Sequence, residues 1–271
     1  MPATQPSATA KDYIHRLVAL MVTGLFGWVL YRTALGLGEP GTPDAPLLAL
    51  ILLAALNTLT AMARQLSWQY VLPAAALTAF LGSAAFVSSL YSGIPLGPLI
   101  FGPASGESIT SKLPWSVPLL WVLVVFNSRG VGRLILRPWR KMKTYGFWLI
   151  GLTVLLSLLF DLGMDPFLAR LNHYWLWQPT KFNFTWQGAP LSNFLGWPVV
   201  TLFILAFATP LLIKKQPGQR SAPDYHPLIL WVGALVLFAV AAGRHGLWAP
   251  AVMDGVLIVT VLVPAIRGAR W

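Results

Sequence analysis

The sequence contains no cysteine and very few polar catalytic side chains: four His and eight Asp plus Glu among 271 residues. The absence of cysteine excludes disulfide bonds, thiolate metal sites and a cysteine nucleophile. Four scattered histidines are too few for the ligand set of a membrane di-iron hydroxylase or desaturase. No lysine lies inside an apolar segment, which excludes a retinal Schiff base.

The common cofactor motifs are absent as well. The sequence has no GxGxxG motif after a strand, no P-loop and no HExxH zinc motif. A membrane prenyltransferase would carry two Asp-rich motifs that hold magnesium around a diphosphate. Only Asp161 and Asp165 resemble half of such a pair. We therefore predict no metal and no cofactor, which leaves acid–base chemistry on an apolar substrate, or binding without chemistry.

Charged residues are scarce, at 10% of the chain, whereas 56% of the residues are hydrophobic. Soluble globular domains carry about 25% charged residues, so the composition predicts an integral membrane protein. The net charge of +11 does not indicate a nucleic-acid partner. The basic residues lie between apolar segments, where membrane topology and anionic lipid head groups account for them.

Eight segments are long and apolar enough to cross a bilayer, which takes about 20 residues. The sequence therefore predicts an all-α, polytopic bundle with one transmembrane domain over 13–271, after a disordered tail over 1–12. The last two segments are short, and they form either a hairpin or one broken pair. The eight predicted segments are 13–37, 45–63, 70–91, 115–135, 145–163, 195–213, 227–243 and 248–266.

The distribution of basic residues predicts the orientation of these segments. With both termini in the cytoplasm, only five of the nineteen Lys and Arg fall on the outer side, and the other fourteen lie inside. This bias follows the positive-inside rule. It predicts a multi-pass protein of the cell membrane with both termini cytoplasmic. The five outer residues are Arg32, Lys112, Arg170, Lys181 and Arg244.

Two long connections, 92–114 and 164–194, lie on the predicted outer side. Connections of this length are usually functional or disordered, and the second is too rich in aromatic residues for disorder. We expect it to fold back onto the membrane and cap a pocket. Aromatic faces line apolar pockets and stabilise cations. The side chains expected to line this pocket are Trp175, Trp177, Trp186, Asn193, Trp197 and Asp161.

Three acids are the candidate catalytic residues. Asp161 lies near the outer end of the fifth segment, and an ionisable residue at membrane depth is a candidate functional residue. Asp165 precedes Pro166, a pattern typical of a helix N-cap with proline at the first helical position. Asp254 lies about two turns inside the last segment, where it either pairs with Arg244 or belongs to the same site.

Several short motifs carry a resemblance to a known family. In the second half they are Asp165-Pro166, Trp175-Leu176-Trp177 and the run from Gly188 to Trp197, which reads G-x-P-x-x-N-F-x-G-W. In the first half they are Ser92-Gly93-Ile94-Pro95-Leu96-Gly97, Gly102-Pro103 and Pro118-Leu119-Leu120-Trp121. The chain resembles the membrane carotenoid biosynthesis family over roughly residues 86–197. One element departs from the family pattern, because the stretch from Phe86 to Tyr91 contains no acid.

The resemblance implies a carotenoid 1,2-hydratase, which adds water across the C1=C2 bond of a linear carotenoid end group. Known members act on γ-carotene-type and bisanhydrobacterioruberin substrates. It implies that an acid protonates C2 and that water attacks the cation at C1. The position of Asp161 at the membrane edge fits the role of donor, with Asp165 or Asp254 positioning water. Pro95 and Gly97 are the corresponding substrate-binding residues of the first half.

A second interpretation remains open. The missing acid between Phe86 and Tyr91 favours a non-catalytic membrane subunit that binds a carotenoid or lipid. A transporter is less well supported, because paired broken helices and buried charge pairs are not apparent in the sequence. The environment of Asp161 discriminates between the hydratase and the binding subunit. A hydratase requires this carboxyl group to lie beside the Trp-rich connection rather than in solvent.

Overall fold

The computed structural model describes residues 10–37, 41–109, 112–180, 184–213 and 222–271. Within these residues the fold contains eight helices, each long and apolar enough to cross a membrane. The all-α, eight-helix prediction is confirmed. The helices are α1 (Ala10–Leu35), α2 (Ala45–Gln65), α3 (Trp68–Ser92), α4 (Ser116–Ile135), α5 (Tyr145–Asp165), α6 (Leu191–Ala208), α7 (His226–Arg244) and α8 (Trp248–Ala269).

Most helix boundaries differ from the predicted segments by a few residues, and three of these differences concern the tail or the candidate site. Helix α1 begins at Ala10, three residues before the first predicted segment, and residues 1–9 of the predicted tail lie outside the described part. Helix α5 continues past Asp165 as a π-helical turn over Pro166–Leu171. Helix α6 begins at Leu191, four residues before its predicted start. The last two helices are separate and pack against each other as a hairpin.

Helix α4 lies at the centre of the bundle, in contact with α2, α3, α5, α7 and α8. Its buried residues include Trp121, Val125 and Val131. Large apolar side chains on the outer faces of the other helices are exposed, among them Leu20, Phe80, Phe147, Val199 and Val252. An apolar exterior around a packed interior is the surface that a lipid bilayer requires.

The two long connections meet in a small sheet at one end of the bundle. Strand β1 (Leu99–Phe101) pairs antiparallel with β2 (Trp175–Trp177), with Leu99 opposite Trp177 and Phe101 opposite Trp175. Two further short strands, β3 (Thr185–Trp186) and β4 (Ala189–Pro190), form a second pair just before α6. The sequence predicted that the second connection folds back. It did not predict strands, because each strand has only two or three residues.

A close contact between α3 and α4 fixes the position of the central helix. A Cβ atom at Gly82 would overlap the indole ring of Trp121. The two helices can therefore approach this closely only because residue 82 is glycine. Replacing Gly82 with Ala is expected to destabilise the protein by about 1–3 kcal/mol, the usual cost of overpacking. Thermal unfolding in detergent measures this effect.

Gly255 provides the matched control for this substitution. It also lies in a helix, and a Cβ atom at Gly255 would meet no atom within 4 Å. Gly255→Ala is expected to leave the melting temperature unchanged or to raise it slightly, because alanine has the higher helix propensity. Equal destabilisation by both substitutions would show that the Gly82–Trp121 contact does not set the helix spacing.

Candidate functional site

Asp161 and Asp165 lie on one face of α5, one helical turn apart, at the end of the bundle that carries the sheet. Both side chains are completely buried, and their carboxyl groups are close enough to interact electrostatically. Two buried acids one turn apart are unusual in a membrane helix, because ionisable groups at membrane depth are costly and commonly functional.

Asp161 has one hydrogen-bond partner, from the neighbouring helix. The Asn193 Nδ2 group donates to Asp161 Oδ2 at 2.7 Å. Among the described residues, the other carboxyl oxygen, Oδ1, has no hydrogen-bond partner. Asn193 is itself 1% exposed and lies in the first turn of α6. The α6 helix therefore orients the Asp161 carboxyl group and leaves one oxygen available to carry a proton.

Asp165 is bound by two indole groups from strand β2. Trp175 Nε1 and Trp177 Nε1 each donate to Asp165 Oδ1 at 3.0 Å. The predicted N-cap role is wrong: Asp165 has helical backbone angles, and its side chain makes no capping bond. Pro166 is accommodated because the π-helical turn that starts there continues the helical path. Asp165 thus attaches the sheet to α5.

An aromatic cluster surrounds these bonds. The Trp175 ring contacts Phe86 of α3, with ring centroids 5.5 Å apart. Phe86 in turn contacts Trp121, and Trp121 stacks on Trp197 with centroids 4.0 Å apart. The sequence identified Trp175 and Trp197 as site residues but not Phe86 or Trp121. Both lie at helix positions where the sequence predicts only an ordinary buried side chain, although Trp121 is the last residue of the Pro118-Leu119-Leu120-Trp121 motif.

Tyr174 completes the cluster and was not predicted as a site residue. Its side chain is fully buried, and its ring meets that of Trp175 edge to face. Burial raises the pKa of the Tyr174 hydroxyl well above its ordinary value, so this group remains protonated. Tyr174 therefore adds a neutral polar group, rather than a charge, beside the aromatic rings.

A family comparison covers the part of the chain that contains this site. Residues 46–261 match the model of a family described as carotenoid biosynthesis protein. The chain belongs to the carotenoid biosynthesis protein family. The match begins in α2 and ends within α8, so it includes every site residue discussed above. No protein in the curated comparison and no solved structure matches the chain significantly.

The family motif around Pro95 and Gly97 packs against the motif that opens α6. A Cβ atom at Gly97 would lie 2.7 Å from atoms of Pro190 and Ser192. Gly97 also has φ of 109°, which glycine adopts without strain. The Pro95 carbonyl lies so close to Gly196 that any side chain at position 196 would overlap it. The two halves of the family pattern are therefore in direct contact.

The position where the family pattern carries an acid is occupied by Phe86 and its neighbours on α3. Phe86 belongs to the aromatic cluster, and Ser89, one turn later, is completely buried. The Ser89 hydroxyl accepts a hydrogen bond from the Leu96 amide at 2.9 Å. In this family member that stretch of α3 supports the Pro95–Gly97 loop and supplies no carboxyl group.

Trp186 lies at the rim of the site. Its Nε1 group donates to the Leu162 carbonyl of α5 at 3.0 Å, and the ring is partly exposed. Four of the residues expected to line an open pocket are instead packed tightly in the protein interior. They are Asp161, Asn193, Trp175 and Trp197, each no more than 1% exposed.

Asp254 lies near the same end of the bundle, on the other side of α5 from Asp161 and Asp165. Its carboxyl group packs directly against Gly163, which lies two residues from both Asp161 and Asp165. Residues two apart point to opposite sides of a helix, so Asp254 approaches the other face of α5. The proposed pair with Arg244 is wrong, since the Arg244 guanidinium donates to the Leu35 carbonyl. Both oxygens of Asp254 lack a hydrogen-bond partner among the described residues.

Two of the apolar spaces between the helices lie near the candidate site or in the bundle interior, and both are large enough to hold part of a ligand. A cavity of about 250 Å³ lies between α1, α2, α4, α5 and α7, and its walls include Phe160, Met164 and Trp231. A groove of about 480 Å³ runs between α3 and α6, and its walls include Pro95 and Val200. Neither space is lined by Asp161 or Asp165. Within the described parts of the chain, no three His, Asp or Glu cluster as metal ligands would.

Proposed function

We propose that this carotenoid biosynthesis protein is a hydratase that adds water to the C1=C2 bond of a linear carotenoid end group, without a cofactor. One observation supports this most: the buried Asp161 carboxyl has one oxygen held by Asn193 and the other without a partner. It lies one helical turn from Asp165, which accepts hydrogen bonds from Trp175 and Trp177. The family supports a role in carotenoid biosynthesis.

In the proposed reaction, Asp161 donates its proton to C2, and the π electrons of the double bond form the new C–H bond. A tertiary cation remains at C1. A water oxygen then bonds to C1 and releases one proton, which returns to the carboxylate pair. The step needs a carboxylic acid that keeps its proton, and a low-dielectric surrounding favours the neutral form of a carboxyl group. General acid catalysis contributes about 10²–10⁴-fold.

Asp165 is the group best suited to accept the proton that water releases. Two indole N–H groups donate to it and none of its described contacts requires it to donate. The tryptophan faces next to it stabilise a nearby cation by about 0.5–2 kcal/mol each. Asp254, on the opposite face of α5, is less suited to position the water than Asp165.

The groove between α3 and α6 is the proposed position of the polyene. Its walls are apolar, and it faces lipid, where a carotenoid is dissolved. Pro95, which follows the C-terminus of α3, forms the wall nearest the sheet. The Pro95 carbonyl packs on Gly196, one turn of α6 from Asn193. We expect a polyene in this groove to bring its end towards the turn of α6 whose Asn193 holds Asp161.

A non-catalytic carotenoid- or lipid-binding subunit is the second candidate. The observation that favours it is the apolar cavity of about 250 Å³, which is lined by no acidic residue. The absence of an acid between Phe86 and Tyr91 points the same way. A binding subunit would copurify with an unmodified pigment, whereas a hydratase would convert the pigment to a tertiary alcohol.

Pigment conversion by the purified protein distinguishes these functions. The protein in detergent or nanodiscs is mixed with a linear carotenoid, with no metal or cofactor added, and the products are separated by chromatography. We expect a product heavier than the substrate by one water molecule. A stable complex with unchanged pigment, for every linear carotenoid offered, would favour the binding subunit.

We also propose that both termini lie in the cytoplasm, so that the sheet and Asp161 lie near the outer surface. The chain has no natural cysteine, so single cysteines report the topology directly. We expect Glu107→Cys to react with a membrane-impermeant maleimide in intact cells, and Lys141→Cys to react only after the membrane is opened. Equal labelling of both in intact cells would contradict the eight-crossing topology.

A further inference from the structure

A second polar site lies at the end of the bundle opposite the sheet. It is a pocket of about 130 Å³ where the C-terminus of α4, the turn after it and the start of α5 meet α7. Its polar walls are formed by Gln65, Arg133, Arg137, Arg140, Tyr145 and Asp224. None of these residues takes part in the proposed hydration, and the pocket is far more polar than the cavity in the bundle interior.

The charges in this pocket are unbalanced. Among the described residues that line the pocket, three carry a guanidinium group and one, Asp224, carries a carboxylate. Asp224 accepts a hydrogen bond from Gln65 Nε2 at 2.7 Å, and Arg133 donates to the other end of the same amide, at Gln65 Oε1. Gln65 therefore separates Arg133 from Asp224. The acid reduces the positive charge of the pocket but does not cancel it.

The geometry fits an anion that can accept several hydrogen bonds. Arginine presents a fork of donors that matches phosphate oxygens, and charge-assisted bonds of this kind are strong. Like charges gathered in one pocket repel one another, and an anion bound among them reduces that repulsion. The volume of about 130 Å³ accommodates a phosphate group with a few water molecules, since each water occupies about 30 Å³ in the liquid.

We propose that this pocket binds a phosphate group at the membrane interface, carried by an anionic phospholipid or supplied as free phosphate. Basic pockets between membrane helices commonly hold anionic lipid head groups. Arg137 and Arg140 provide the principal donors, and Tyr145 adds a hydroxyl at the wall. This site is separate from the carotenoid site, so its failure would leave the proposed hydration unaffected.

A pair of double variants tests the proposal. Arg137→Gln with Arg140→Gln removes two charges from the pocket walls. Lys141→Gln with Lys143→Gln removes the same charge from exposed positions of the same connection, which do not line the pocket. Native mass spectrometry of each protein, titrated with phosphatidylglycerol or phosphatidylcholine, gives the affinity for each lipid. Thermal unfolding with added inorganic phosphate tests free phosphate.

We expect the wild type to bind phosphatidylglycerol more tightly than phosphatidylcholine. The arginine double variant should lose about tenfold or more of this affinity, and the lysine double variant should keep it. Stabilisation of the wild type by inorganic phosphate, absent in the arginine variant, would identify free phosphate as the source. Equal losses in the two double variants, or no preference for the anionic lipid and no effect of phosphate, would overturn the proposal.

Discussion

Replacing Asp161 with Asn is expected to abolish formation of the tertiary alcohol while the protein is made and folded normally. Asn has almost the shape of Asp, and its carboxamide can stay next to Asn193, but it cannot protonate an alkene. Water does not substitute for the missing acid, because an alkene is too weak a base. We expect the conversion rate to fall at least 10²-fold, the lower end of general acid catalysis.

Asp254→Asn is the matched control for this experiment. Asp254 is also a fully buried acid near the same end of the bundle, but it packs on Gly163, away from Asp161. The Asp254 variant should retain most of the activity if Asp161 is the proton donor. Loss of activity in the Asp254 variant alone would transfer the role of donor to the other face of α5.

Replacing Asp165 with Leu is expected to detach the sheet from the bundle. The substitution leaves Trp175 Nε1 and Trp177 Nε1 without an acceptor. Each buried donor left unpaired costs about 1–3 kcal/mol, so the apparent melting temperature should fall by several degrees. Hydrogen exchange should increase most at β1 and β2, the strands that this carboxylate connects to α5.

Asp165→Asn separates the structural role from the chemical one. Both indoles donate to Oδ1 at 3.0 Å, and Trp177 also donates to Oδ2 at 3.3 Å. An asparagine oxygen in the position of Oδ1 therefore retains the two shorter bonds. The Asn variant should therefore be much more stable than the Leu variant. It should still be slower in hydration, because an amide does not accept a proton from water. Equal stability of the Leu variant and the wild type would show that these bonds do not hold the sheet.

The helical fold followed from the sequence because long apolar runs and the basic residues between them are strong local signals. The short strands were missed because Leu99–Phe101 and Trp175–Trp177 become strands only by pairing with each other. The extension of α5 past Pro166 was also missed. A proline disfavours helical conformation at the preceding residue, but here the π-helical turn and the burial of Asp165 outweigh that preference.

The candidate site was only partly predictable for a similar reason. The pairing of Asp161 with Asn193 joins α5 to α6, and the stacking of Trp121 on Trp197 joins α4 to α6. Contacts across such distances in the sequence leave no periodic pattern. Asp254 shows the same limit: its depth in the last helix can be read from the sequence, but depth does not determine which face of α5 it meets.

The origin of the new hydroxyl oxygen is the most direct test of cofactor-free hydration. The protein converts a linear carotenoid either in ¹⁸O-labelled water or under ¹⁸O-labelled oxygen gas, and mass spectrometry of the alcohol locates the label. Protonation at C2 followed by attack of water at C1 predicts label from water and none from the gas. Label arriving from oxygen gas would contradict the account, because it would identify an oxygenase.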